Sequence, residues 1–135
     1  MRLPWWLPFG SVSEITAPAL SLALQAPLPP QLLDVRTTQE FAAGHIEGAL
    51  HVPLTALAGR LPLLGLDPDR PVVAICLTAH RSIPAVRLLC DQGLKAQQLA
   101  GGMLAWRAAG LPEGKGPMHL PNAGARVVGP GGGAP

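Results

Sequence analysis

Residues 71–82 read P-V-V-A-I-C-L-T-A-H-R-S and join a continuous apolar run to a short polar segment. The apolar run, which ends at Cys76, is rich in β-branched side chains and is typical of a central strand covered on both faces. A helix is predicted to follow, with Ser82 as its N-cap, Pro84 in its first turn and Gly93 at its end. The segment therefore predicts a buried strand, a tight loop and a helix, the order found in parallel α/β units.

The flanking sequence repeats this alternation of strand-like and helix-like pieces. Four further strands are predicted at 10–15, 32–35, 49–52 and 94–99. Four further helices are predicted at 17–26, 38–43, 54–64 and 103–109. Strands that alternate with short helices pair in parallel through right-handed crossovers. The predicted fold class is therefore α/β, a small domain with an open, mainly parallel sheet of about five strands flanked by helices.

Length and composition bound the domain organisation. The 135 residues carry 10 Lys and Arg against 8 Asp and Glu, a formal charge of +2, and 48% are hydrophobic. These values fit one compact domain that forms a core without metal or disulfide. The sequence has no run of Lys or Arg and no apolar stretch of about 18 residues, so neither nucleic-acid binding nor a membrane span is predicted. We expect an N-terminal arm at 1–9, a domain at 10–112 and a flexible Gly/Pro-rich tail at 113–135.

The chemistry is predicted at the carboxyl end of the central strand, because ligands of open α/β sheets bind there. Successive N–H groups of the loop, the start of the next helix and Arg81 would form a cradle for an anion. A thiol in that position ionises readily, and the thiolate is the nucleophile. Cys76 is therefore the predicted catalytic residue. The predicted substrate-binding residues follow it directly: Leu77, Thr78, Ala79, His80, Arg81 and Ser82.

Three other residues that could carry chemistry are predicted to be structural. His45 follows the helix stop before it, and nothing nearby has metal-ligand spacing. Cys90 shares a helical face with Val86 and Leu89 and is expected to pack in the core. Trp106 is expected to pack in the core or at the domain edge.

The sequence resembles the rhodanese family of single-domain sulfurtransferases over roughly residues 10–112. The matching fragments are L-L-D-V-R at 32–36, E-F-A-A-G-H-I-E-G-A at 40–49, V-P at 52–53, V-V-A-I-C-L-T-A-H-R-S at 72–82 and G-G-M-L-A-W-R-A-A-G-L-P at 101–112. The resemblance implies a small rhodanese-like fold with a persulfide on Cys76. It also implies that Asp34 and Arg36 are structural residues near the site, which fix neighbouring loops through charge-assisted hydrogen bonds.

Loop length separates two activities within this fold. Four residues lie between Cys76 and Arg81, as in sulfurtransferase loops, whereas the phosphatases of this fold carry one more. Ala79 stands where family members often have Gly, so a positive φ there would strain the loop by about 1 kcal/mol. Leu77 is apolar where many thiosulfate users have a charge. This removes one attraction for a dianionic donor, so thiosulfate is expected to be a laboratory substrate only.

The predicted function is transfer of a sulfane sulfur from thiosulfate, or from another persulfide or polysulfide, to a thiol or cyanide acceptor. No cofactor and no metal is required. The alternative is a sulfur-relay or regulatory module that receives a persulfide from a protein partner, or docks one, without turnover. A redox sensor would need a resolving thiol, which a disulfide between Cys76 and Cys90 would reveal. Two unpaired cysteines suit a cytoplasmic location.

Overall fold

The computed structural model describes residues 11–118. Its strands are β1 (Glu14–Ile15), β2 (Gln31–Asp34), β3 (Leu50–His51), β4 (Val72–Ile75) and β5 (Ala96–Leu99). Its helices are α1 (Ala17–Ala23), α2 (Thr38–Ala43), α3 (Leu54–Arg60), α4 (Ser82–Asp91) and α5 (Gly102–Ala108). A short 3₁₀ turn, Leu61–Leu63, follows α3.

The five strands form one sheet in the order β1-β5-β4-β2-β3, and every neighbouring pair is parallel. This confirms the predicted α/β class and the parallel sheet of five strands. Strand β4 lies at the centre, and all four of its residues are fully buried. The continuous apolar run in the sequence therefore reflects a strand covered by helices on both faces.

The side chains of β4 and of the residue after it alternate between two hydrophobic layers. Val72, Ala74 and Cys76 pack in the layer that contains residues of α3 and α4. Val73 and Ile75 pack in the layer formed with α1, α2 and α5. This alternation is the two-residue period of a strand, and it sends the sulfur of Cys76 toward α4.

Several element boundaries differ from the predicted ones. Strand β1 is only two residues long, because it is an edge strand whose pairing is limited to Gln98 and Leu99 of β5. The helix predicted at 54–64 changes to a 3₁₀ turn at Leu61–Leu63, since Pro62 has no N–H with which to continue the α-helical bonding.

The segment after residue 112 contacts the domain. Gly114 and His45 exchange two backbone hydrogen bonds of 2.7 and 3.0 Å, and the Gly116 N–H donates to the Ala42 carbonyl at 2.8 Å. Composition places 113–118 in a tail, yet these contacts attach the segment to the end of α2. The predicted arm at 1–9 and residues 119–135 of the predicted tail lie outside the described residues. No helix within 11–118 is long and apolar enough to cross a membrane.

Candidate active site

Cys76 directly follows β4 at the carboxyl end of the sheet, as predicted, and its residue is only 1% exposed. Its Sγ atom lies 3.4 Å from the Oγ atom of Ser82, the first residue of α4. The strand end and the helix start therefore bring a thiol and a hydroxyl into contact inside the domain.

The loop from 77 to 81 has a left-handed residue at its centre. Ala79 is buried and has φ +74°, the one positive φ of a non-glycine residue between 11 and 118. The residue that stands where family members often have Gly is therefore in the left-handed region. Among the described residues, the backbone N–H groups of 77–81 donate to no partner. They are not committed to other hydrogen bonds among the described residues, and their binding of an anion stays a prediction.

The start of α5 holds the beginning of this loop. The Met103 N–H donates to the Cys76 carbonyl at 2.8 Å, and the Leu104 N–H donates to the Leu77 carbonyl at 3.1 Å. Gly102 has φ +60°, and a Cβ atom on it would overlap both of those carbonyl groups. A glycine is needed there because two backbones approach each other too closely for any side chain.

Arg81 forms a bidentate ion pair with Glu40, at 2.6 and 2.7 Å between guanidinium nitrogens and carboxylate oxygens. Hydrogen bonds from Arg81 lower the pKa of Glu40 to about 2 against the opposing effect of burial. The same hydrogen bonds raise the pKa of Arg81. The cation beside the loop is therefore largely neutralised by a carboxylate from α2, and a role for Arg81 in binding substrate stays a prediction.

Ser82 does not cap α4, contrary to the sequence prediction. Arg81 occupies the N-cap position with helical angles and makes no side-chain cap bond. The Ser82 hydroxyl instead donates to Oε1 of Gln98 at 2.6 Å, and Nε2 of Gln98 donates to Glu14 at 2.7 Å. Because Ser82 is buried next to a polar side chain of β5, its hydroxyl bonds across the elements and not to its own helix.

Asp34 and Arg36 form a buried ion pair of 2.8 Å, as the resemblance implied. Arg36 also donates to the Gly44 carbonyl at 2.7 Å, which ties the end of α2 to the loop after β2.

His45 is buried, makes a 2.8 Å contact from Nδ1 to the Phe41 carbonyl oxygen and stacks on the Phe41 ring. These contacts agree with a structural role for His45. Trp106 is buried in the core, in the layer that contains Phe41, which agrees with the predicted packing role.

The remaining loop side chains divide between the surface and the core. Thr78 and His80 are exposed, and their Oγ1 and Nδ1 atoms lie 3.1 Å apart. Leu77 is half-buried against the layer of α1, α2 and α5 and is not a free apolar group.

A cavity of about 360 Å³ adjoins the loop on its β1 side. Its lining includes Glu14, Thr78, Ala79, His80 and Gln98.

The prediction that Cys90 packs in the core is wrong, because this residue is exposed. It lies in the last turn of α4, where its Sγ atom is 3.8 Å from the Ala96 carbonyl oxygen. Cys90 lies eight positions after Ser82 in α4, a rise of about 12 Å along the helix axis. A disulfide with Cys76 is therefore out of reach while α4 is folded.

The polar partners Glu14, Glu40 and Gln98 are the site residues that sequence reasoning missed. For Glu40 a signal exists in the capping box that it forms with Thr37 at the start of α2. For Gln98 the signal is a polar residue in a strand otherwise expected to be buried. Within 11–118, no group of acidic, His or Cys side chains has the arrangement of a metal site.

Comparisons with known proteins agree with this geometry. The family model described as a rhodanese-like domain matches residues 16–109. The chain is 45% identical over 87 residues to the HTH-type transcriptional regulator Rv0324 of Mycobacterium tuberculosis. The matched region covers 63% of this chain and 38% of that protein. It is also 32% identical over 102 residues to the putative sulfurtransferase YtwF of Bacillus subtilis. This match covers 76% of this chain and 97% of YtwF. A sulfurtransferase of Allochromatium vinosum is 36% identical over 102 residues, which cover 75% of this chain and 94% of that one.

Solved structures show the same fold. A rhodanese-related protein from Thermoplasma volcanium superposes with a TM-score of 0.69 at 28% identity and covers 76% of this chain and 98% of that one. A thiosulfate sulfurtransferase from Pseudomonas aeruginosa superposes with a TM-score of 0.71 at 25% identity, over 80% of this chain and 21% of that one. The chain thus spans nearly all of some relatives and a minor part of others.

Proposed function

Because this chain belongs to the rhodanese-like family, we propose that it is a sulfurtransferase whose Cys76 carries the transferred sulfur as a persulfide. The observation that supports this most is the position of Cys76 at the end of the central strand, before five loop N–H groups without partners among the described residues. Such N–H groups stabilise a sulfur anion without needing any particular side chain. Relatives named sulfurtransferase, matched over nearly their whole length, support the same activity.

The proposed reaction has two half-reactions. The Cys76 thiol first loses its proton, and its sulfur then attacks the outer sulfur of the donor to form a new S–S bond. The donor's own bond to that sulfur breaks with its electron pair, which leaves on a thiolate or on sulfite. An acceptor thiolate or cyanide next attacks the outer sulfur and restores the Cys76 thiolate. Neither half-reaction requires a metal or an organic cofactor.

Charge and burial around Cys76 favour a persulfide donor over thiosulfate. The guanidinium of Arg81 is engaged by Glu40, and Leu77 brings no charge to the start of the loop. The attraction for a dianion is therefore weak. Because Cys76 is only 1% exposed, the donor must present a slender terminal sulfur, which the persulfide of a low-molecular-weight or protein thiol provides.

A turnover assay tests this function. We expect the purified chain to transfer sulfur from glutathione persulfide to cyanide, and more slowly from thiosulfate. Cys76→Ser should abolish thiocyanate formation, whereas Cys90→Ser, which removes the exposed thiol, should leave it unchanged. Equal turnover in the Cys76→Ser variant would refute the proposal.

A regulatory module is the second candidate, and one observation favours it. The relative with 45% identity is named as a transcriptional regulator, and this chain matches 38% of its length. In this role Cys76 would accept a persulfide and keep it as a signal. A single-turnover experiment distinguishes the sulfurtransferase from the regulatory module. The module would form the persulfide but would not release its sulfur to cyanide or to a thiol.

A further inference from the structure

A chain of polar side chains connects the buried sulfur of Cys76 to the protein surface. Cys76 Sγ lies 3.4 Å from Ser82 Oγ, which donates to Gln98 Oε1 at 2.6 Å. Gln98 Nε2 in turn donates to Glu14 Oε2 at 2.7 Å. The first three residues are at most 4% exposed, and Glu14 is exposed on the edge strand β1. Four separate parts of the fold therefore meet in one hydrogen-bonded line.

The direction of every bond in this line follows from its outer end. The Glu14 carboxylate only accepts, so it turns the NH₂ group of Gln98 toward itself and the amide oxygen toward Ser82. The hydroxyl of Ser82 has one proton, and the bond to Gln98 uses it. Toward Cys76 the Ser82 oxygen is then able only to accept. The contact at 3.4 Å is satisfied by an S–H group and is not satisfied by a thiolate.

We infer that Gln98, oriented by Glu14, is a positioning residue that fixes Ser82 as an acceptor and thereby keeps Cys76 in the thiol form while the site is at rest. The nucleophile forms when the Ser82 hydroxyl turns its proton from Gln98 to the sulfur. An amide does not pass protons on, so the line sets bond direction and carries no proton to Glu14. The thiol proton leaves to water.

The charged groups around Cys76 are distinct from this line. Arg81, from the end of the loop, interacts electrostatically with Cys76 but is paired with Glu40 of α2. Asp34 and Arg36, from the end of β2, neutralise each other. The imidazole of His80 lies on the loop itself and is exposed. A change at Gln98 leaves all of these groups in place, so its effect on the sulfur reports the hydrogen-bonded line.

The test measures alkylation of Cys76 by iodoacetamide in full-length Cys90→Ser protein, where the exposed second thiol is absent. Gln98→Leu frees the Ser82 proton to donate to the sulfur. We expect alkylation to be about tenfold faster at about pH 6 and unchanged at about pH 9, above the ordinary pKa of a free thiol. Glu14→Gln should act in the same direction, because a neutral amide lets Gln98 turn its NH₂ group toward Ser82. Thermal unfolding checks that each variant is folded.

Ser82→Ala separates this mechanism from a simple charge effect. In a Ser82→Ala background, Gln98→Leu and Glu14→Gln should produce no further change at either pH. The exposed carboxylate of Glu47 serves as the matched control, and Glu47→Gln should have no effect in either background. Unchanged alkylation at about pH 6 in folded Gln98→Leu or Glu14→Gln, or a change that persists without Ser82, would overturn the inference.

The importance of Gln98 for catalysis rests on the proposed function, but its effect on the Cys76 sulfur does not. Separate experiments therefore test the positioning role of Gln98 and the sulfurtransferase proposal. Alkylation reads the state of the sulfur directly and needs no sulfur donor. If the variants behave as expected but no donor supports turnover, the line is real and the sulfurtransferase proposal is wrong. If turnover depends on Cys76 but the variants leave alkylation unchanged, the sulfurtransferase proposal survives and the positioning role of Gln98 is wrong.

Discussion

Ala79 is the strained residue of the loop that follows Cys76. Its φ of +74° lies in the left-handed region, where a Cβ atom raises the energy by about 1 kcal/mol. The loop keeps this conformation because the bonds on either side of it are fixed: α5 holds the carbonyls of Cys76 and Leu77, and the Ile83 N–H donates to the His80 carbonyl at 3.2 Å. Strain of this kind is characteristic of sites where a backbone is preorganised for a ligand.

The ion pair between Glu40 and Arg81 gives folding a pH dependence of known sign. The pKa of Glu40 is lowered from 4.5 to about 2 in the folded protein by hydrogen bonds from Arg81. The stabilisation is therefore complete above about pH 4.5 and is lost as the pH falls toward about 2. Solvent screens the pair, since the side chains are 29% and 36% exposed, so we expect a contribution of about 1 kcal/mol.

Glu40→Gln tests this contribution in chemical denaturation at several pH values. The variant should be less stable than the parent by about 1 kcal/mol at neutral pH, and the two should converge by about pH 2. Arg81→Gln should give a similar loss at neutral pH, and adding Glu40→Gln to it should change little further. A stability difference that stays constant down to about pH 2 would contradict the assigned pair.

At the residue scale, predictability depends on how far apart in the chain the partners lie. The place of Cys76 after a buried strand, and the pair formed by Asp34 and Arg36, could be predicted because their contacts are local or their pattern is typical of the family. Glu40 reaches Arg81 across 41 positions, and Glu14 reaches Gln98 across 84. No spacing rule connects residues so distant, since only the packed sheet and helices bring them together.

At the scale of elements, α5 positions the loop that follows Cys76. The first turn of α5 donates two backbone hydrogen bonds to that loop, and Gly102 permits the contact because it has no side chain. We expect Gly102→Ala to displace the loop, to lower the free energy of unfolding by about 2–4 kcal/mol and to reduce sulfur transfer strongly. Denaturation and the cyanide assay measure the two effects.

Gly110 provides the matched control for this substitution. It has φ +71°, close to the +60° of Gly102, but a Cβ atom on it would meet nothing within 4 Å. Gly110→Ala should therefore lower stability by only about 1 kcal/mol and leave transfer unchanged. Equal losses of stability and of sulfur transfer in the two variants would contradict the role of α5 in positioning the loop.

The predicted elements agree with the structure in number and type but less well in extent. The apolar run at 71–76 and the helical spacing at 54–64 identify elements that exist, because burial selects those patterns directly. Their ends and their buried faces depend on pairing and packing: β1 pairs with β5 at only two positions, and Cys90 is exposed although Val86 and Leu89 of the same helix are buried. Periodicity alone does not encode such limits.

At the scale of the whole molecule, the parallel sheet explains why the proposed chemistry is concentrated at one loop. Strand β4 lies between β5 and β2, so its carboxyl end is surrounded by the ends of both neighbours. β2 contributes the pair of Asp34 and Arg36, and β5 contributes Gln98. Relatives of this chain carry the names of both a transcriptional regulator and a putative sulfurtransferase.

The most direct test of the central claim is intact mass spectrometry of the purified full-length chain after incubation with glutathione persulfide. We predict a gain of one sulfur atom, located on the peptide that contains Cys76, present in Cys90→Ser and lost on addition of cyanide. The account would be contradicted by an unchanged mass in the folded protein, or by added sulfur that is found on Cys90 and persists in Cys76→Ser.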